Sequence, residues 1–323
     1  LISDKSVQNF PFTRYQEVAV KLFAVGMTVV LLAVPAALAG DTLDDTYQSL
    51  QDAVAKKDAA QVKKLVADLN PLIREAESVP APAADEDKQA WTARMAYVKS
   101  IGEYSDYALF AVAIQSPPAE TVDLIATLER QNPKSKFLDQ AYDRYLLALT
   151  QTGAAAKIPA IVDKALVNFP DNEDLLYSAM ESALSRKQSD RALAYANRLT
   201  AALQKRAKPE SLSAEDWERK RDAAMGRADW VAGIIYCEKG TYAAGDKKLR
   251  AALPFVKGNN AMMGPALYYL GVANYQLGKM TLSKAQMLEA VKFSQQAAAI
   301  PGAYADQARH NALVIQEEAG RMR

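Results

Sequence analysis

After Asp41 the alternation of apolar and polar positions reads as helix nearly throughout, and no run of alternating β-branched residues lies between turn signals. The expected class is all-α. The helices come in pairs. Thr46 to Ala55 and Ala60 to Glu77 make the first, joined by Lys56-Lys57-Asp58, so residues 40–79 form an N-terminal helical pair. Val79-Pro80-Ala81-Pro82-Ala83-Ala84-Asp85-Glu86-Asp87 is proline-rich and acidic, and it places a linker and domain boundary at 80–90. Helical hairpins fill residues 91–323. One helix stands out: Ser213 and Asp216 make an N-cap pair, and the run from there to about Glu238 is long enough to project beyond its neighbours. The last helix, Tyr304 to Gly320, ends in Glu317-Glu318 and Arg321-Met322-Arg323, a polar cap.

Two stretches share a layout. Leu270-Gly271-Val272-Ala273-Asn274-Tyr275-Gln276-Leu277-Gly278-Lys279 mixes small and large apolar residues and closes on Gly-Lys. Upstream, Ala232-Gly233-Ile234-Ile235-Tyr236-Cys237-Glu238-Lys239-Gly240-Thr241 does the same. Recurrence of this kind signals stacked repeats. In the middle of the chain Tyr142, Tyr145, Leu146, Leu149, Gly153, Ile158, Val162, Ala165 and Pro170 fall in register, followed by units around Leu176, Gly233 and Gly271. An earlier, weaker unit ends at Asn132-Pro133.

These residues resemble the tetratricopeptide repeat, or TPR, and the chain is similar to exported bacterial TPR proteins. The resemblance implies a right-handed helical-hairpin solenoid of about five repeats with a C-terminal capping helix. It implies that small residues sit where the two helices of a hairpin cross, and that a concave face is lined by the first helices. Carried onto this register, that face holds Gln140, Asp143, Leu147 and Thr150, then Asp174 and Leu184 on either side of Tyr177 and Glu181, then Trp230, Ile234 and Glu238, and finally Tyr268, Val272, Tyr275 and Gln276. The last nine are the candidate protein-binding residues, because aromatic content rises toward the C-terminus and exposed Trp and Tyr anchor peptides well. Packing between repeats is the alternative for Trp230 and Tyr268. Gly233 and Gly271 are 38 residues apart rather than 34, which implies an insertion around Lys257-Gly258-Asn259-Asn260. A larger insertion spans Lys205 to Arg221.

The front of the chain differs. Lys21 precedes an apolar run from Leu22 to Ala39 that carries Pro35 and ends in Ala-Leu-Ala. Residues 1–39 therefore read as a leader, a secretory signal cleaved after Ala39 or an anchor retained over 22–39. Leu1 is not a methionine, and a true start at Val20-Lys21 is expected, with a cytoplasmic tail on an anchored protein as the alternative. The expected location is periplasmic or extracellular. The single cysteine, Cys237, excludes an internal disulfide and reads as a small core residue.

The chemistry is sparse. A formal net charge of +1 over 323 residues gives no electrostatic argument for nucleic acid. His310 is the only histidine. There is no CxxC, HExxH, P-loop or dinucleotide glycine fingerprint. No catalytic residue, cofactor or metal ligand is expected. Arg219-Lys220-Arg221, with Lys205-Arg206, form a basic patch. The function expected is a non-enzymatic protein-binding scaffold of the bacterial cell envelope. Its alternative is a structural protein that assembles with copies of itself into an oligomer or filament.

Overall fold

The computed structural model describes residues 39–209 and 212–322, and residues 1–38 of the leader expected over 1–39 lie outside them. Among the described residues there are thirteen α-helices and no strand. No helix among them is long and apolar enough to cross a membrane. The chain divides into two compact units, one reaching Ala155 and the other spanning Ala156–Arg323.

The first unit holds α1 (Ala39–Ala55), α2 (Ala59–Glu77), α3 (Asp85–Ala113), α4 (Pro118–Gln131) and α5 (Lys136–Gln151). Lys57 turns the chain at φ 55°, and the Asp58 carboxylate caps α2 by accepting from the Gln61 amide at 3.0 Å. Along α2, Val62, Leu65, Val66, Leu69 and Ile73 recur at three- and four-residue spacing and are all buried. The helix packs on both α1 and α3.

The segment 80–90, where a boundary was expected, lies inside the first unit. The prolines do break the backbone, but Asp85, Glu86 and Asp87 form the first turn of α3, where acids suit the helix dipole. Trp91 on α3 donates its Nε1–H to the Val79 carbonyl at 3.1 Å, tying the loop down. Because α3 also packs on α1 and α2, the N-terminal pair is part of the first unit rather than a separate domain.

The second unit holds α6 (Ile158–Asn168), α7 (Glu173–Ser185), α8 (Ser189–Lys205), α9 (Ala214–Glu238), α10 (Tyr242–Val256), α11 (Asn260–Thr281), α12 (Lys284–Ala298) and α13 (Ala305–Arg321). Each helix packs against the next, and α7, α9, α11 and α13 also touch in sequence. The division between units falls between α5 and α6, inside the stretch that matches the repeat pattern best. Gly153, at φ 76°, and a short 3₁₀ turn at Ala155–Lys157 lie at that break.

Ser213 caps α9 as expected, accepting from the Asp216 amide at 3.0 Å. The helix does not project, however. Trp217 in its second turn is buried in the same core as Leu199 and Leu203 of α8. The extra residues between Gly233 and Gly271 lengthen α11 to 22 residues and leave a tight turn at Gly258, φ 87°. Small residues mark the crossings within hairpins. A Cβ on Gly233 would stand 2.6 Å from Leu249 Cγ, and one on Gly271 2.6 Å from Ser294 Oγ. Either distance is shorter than a real side chain tolerates, so only glycine lets these helices approach so closely.

Candidate protein-binding faces

The nine residues singled out in the second unit are all placed, and most are engaged with other side chains or backbone of that unit. Arg227 on α9 grips Glu181 on α7 with two hydrogen bonds, Nε to Oε1 at 2.7 Å and Nη2 to Oε2 at 3.0 Å. The same guanidinium lies 4.8 Å from the centre of the Trp230 ring. Tyr177 is half-buried beside this pair. Burial pushes its phenol up to about 12, Glu181 adds to the rise and Arg227 opposes it. Trp230 is buried, and its Nε1–H donates to the Met262 carbonyl on α11 at 2.8 Å. Of the two roles open to it, this geometry is that of packing. The helix that covers the indole is the next one in the stack, which residue spacing within α9 does not reveal.

Ile234 is half-buried against the same core. Glu238 is exposed and accepts from the Tyr269 hydroxyl at 2.8 Å. Tyr268 packs among aromatic neighbours, 5.2 Å from Tyr269 and 4.8 Å from Tyr304 between ring centres. Tyr275 donates to the Glu318 carboxylate at 3.0 Å, and Lys279 sits over its ring at 5.1 Å. Val272 and Gln276 are half-buried. Only Glu238 among the nine is well exposed. The basic insertion is also engaged internally. Lys220 reaches Asp174 at 2.8 Å, and Arg206 reaches the buried Glu173 at 2.9 Å, an ion pair without hydrogen-bond alignment.

The first unit carries a feature the sequence reading missed. Six aromatic rings from α1, α3 and α5 run in one unbroken chain. Tyr97 lies 6.4 Å from Tyr47, Tyr47 5.3 Å from Tyr104, Tyr104 5.7 Å from Tyr107, Tyr107 5.7 Å from Phe137, and Phe137 5.6 Å from Phe110. Every one is half-buried, with one side in the protein and one in solvent. Two of the five contacts, both made by Tyr47, are edge to face, as aromatic quadrupoles favour. Charged groups flank the ribbon at Tyr97 and at Phe137. Asp44 accepts from the Tyr97 hydroxyl at 3.0 Å, and Lys136 lies 5.3 Å over the Phe137 ring. Burial pushes the Tyr97 and Tyr104 phenols up to about 12. The sequence signal was Tyr97, Tyr104 and Tyr107, spaced by seven and three on one helix, a spacing that puts all three on one face.

Cys237 is buried, and burial, with Asp246 and Glu238 adding, pushes its thiol up to about 12. That is the opposite of an activated nucleophile. His310 is exposed on α13. Among the described residues no group of three His, Cys, Asp or Glu side chains is placed to hold a metal ion. No family model, curated protein or solved structure matches the chain.

Proposed function

We propose that the chain is a non-enzymatic protein-binding scaffold, exported to the bacterial cell envelope and built as a TPR-like right-handed solenoid with a C-terminal cap. The consecutive pairing of helices and the glycine crossings at Gly233 and Gly271 support the architecture. The Lys21–Ala39 pattern supports export. The observation that carries the binding function is the aromatic ribbon on α1, α3 and α5. Half-exposed Tyr and Phe rings offer a large, rigid contact area at low entropic cost, as interface anchors do. The backbone beneath them is helical and already hydrogen-bonded, so a partner is held by side-chain contact rather than by strand pairing.

A photo-crosslinking residue at Gln140, one turn beyond Phe137 on α5, tests this in cells. A discrete protein adduct at Gln140, absent from the same probe at Lys64 on the outer side of α2, supports the scaffold reading. The reading fails if both positions behave alike, or if the purified protein turns over a substrate.

A further inference from the structure

The near-neutral total hides a division of charge. Residues 40–155 hold eighteen Asp and Glu against twelve Lys and Arg, a net of −6. Residues 156–323 hold eighteen Asp and Glu against twenty-four Lys and Arg, a net of +6. The two totals are taken on either side of the boundary at which the fold itself divides, Ala155 to Ala156.

The excess on each side gathers on one helix. Residues 186–208, which are α8 and its flanks, carry seven bases and one acid, Asp190. On α8 itself Arg191, Arg198 and Lys205 follow one another at spacings of seven, so they lie along a single stripe, where Arg191 comes within 3.8 Å of Asp163 and Arg198 donates to the Pro170 carbonyl at 2.7 Å. All three are exposed, and so are Ala194 and Ala201 between them. Such a stripe is about 21 Å long at roughly 1.5 Å per residue, and its alanines let another helix come close. In the first unit α1 carries Asp41, Asp44, Asp45 and Asp52 and not one base. Asp45 and Asp52 are exposed and also seven residues apart, with the exposed Gln48 and Ser49 between them. The acidic stripe of α1 thus matches the basic stripe of α8 in spacing and is opposite to it in sign.

We propose that α8 of one copy docks α1 of a second copy. A second copy is the occupant argued for because the chain itself supplies the charge complement, −6 against +6. Contacts between like units are repelled by the same fields, which selects the heterologous pairing. A heterologous contact leaves one free stripe of each sign on a pair, so association continues until a ring closes or an open array forms. The inference does not rest on the aromatic ribbon, which lies on other side chains.

Sedimentation velocity of the full chain tests it. The wild type associates at about 30 mM salt, and its dissociation constant rises by about tenfold or more by about 300 mM, where the screening length is only several ångströms. Asp45→Lys with Asp52→Lys abolishes the association, and so does Arg191→Glu with Lys205→Glu. Mixed together, the first variant keeps a basic α8 and carries bases at both stripe positions of an α1 that is neutral as a whole, and the second carries a net-acidic α8 and keeps an acidic α1. They must therefore pair with each other across both stripes while neither pairs with itself. These side chains are exposed, and matching helical circular dichroism and melting of each variant confirm that folding is intact. A wild type that stays monomeric at low salt overturns the proposal. So does association that ignores salt and both variants, or a mixture in which the variants fail to pair. Loss of the Gln140 adduct with the association intact counts against the scaffold reading alone.

Discussion

Gly245 on α10 faces Cys237 on α9 so closely that a Cβ on the glycine would stand 2.3 Å from the cysteine Sγ and 3.1 Å from the Gly233 carbonyl oxygen. Gly245→Ala therefore has to push two helices apart, at a cost of about 1–3 kcal/mol. Gly102, in the interior of α3, has nothing within 4 Å of its Cβ position. Gly102→Ala removes only backbone freedom and stabilises by about 0.5–1 kcal/mol. Denaturant melts of the two variants should move in opposite directions.

Trp230→Ala should lower stability by about 3–5 kcal/mol, because it empties a buried ring site and leaves the Met262 carbonyl without its donor. Arg227 also loses the ring beneath it. A melting curve nearly superimposable on the wild type would return Trp230 to the role of surface anchor.

Asp106 is a buried carboxylate on α3 that accepts from Asn132 Nδ2 at 2.7 Å and Gln131 Nε2 at 3.1 Å at the end of α4. Burial raises its pKa, and those amide donors pull the other way. Asp106→Ala strands both donors and should cost about 1–3 kcal/mol. Hydrogen exchange should report the loss first in the turn between α4 and α5.

Glu173 gives the second unit a pH dependence. Burial, with Asp174 adding, raises its carboxyl from 4.5 to about 6, while Lys220 and Arg206 hold it down. A raised pKa means that the folded state binds the proton more tightly. Its contribution is thus complete below about pH 4.5 and is lost as the pH rises through about 6. Glu173→Gln abolishes this, so the stability of the variant relative to wild type should grow by about 2 kcal/mol across that window. Urea titrations at several pH values measure it, and a constant difference would refute the assignment.

Much of the fold was legible where local signals decide it. Asp58 and Ser213 mark helix starts because a short side chain at that position satisfies a free amide, whatever surrounds it. Gly233 and Gly271 mark crossings because few other residues fit there. What the sequence did not show depends on which elements meet. Pro80 and Pro82 announce a break, but not that α3 returns to pack on α1 and α2. Trp230 occupies a groove position by spacing, yet α11, reaching it through Met262, covers it. The aromatic ribbon draws on Tyr47, Tyr104 and Phe137 from three helices, and only the packing of α1, α3 and α5 brings those rings into line.

Cys237 is the chain's single cysteine and lies inside the α9–α10 crossing. A thiol reagent therefore sees one site, and sees it only when that crossing breathes. Its reaction rate is a clock for local opening of the second unit, undisturbed by any other thiol. Gly245→Ala, which presses on the sulfur, should make the clock run faster. A cysteine introduced on the surface could meanwhile be labelled to completion before the native one reacts.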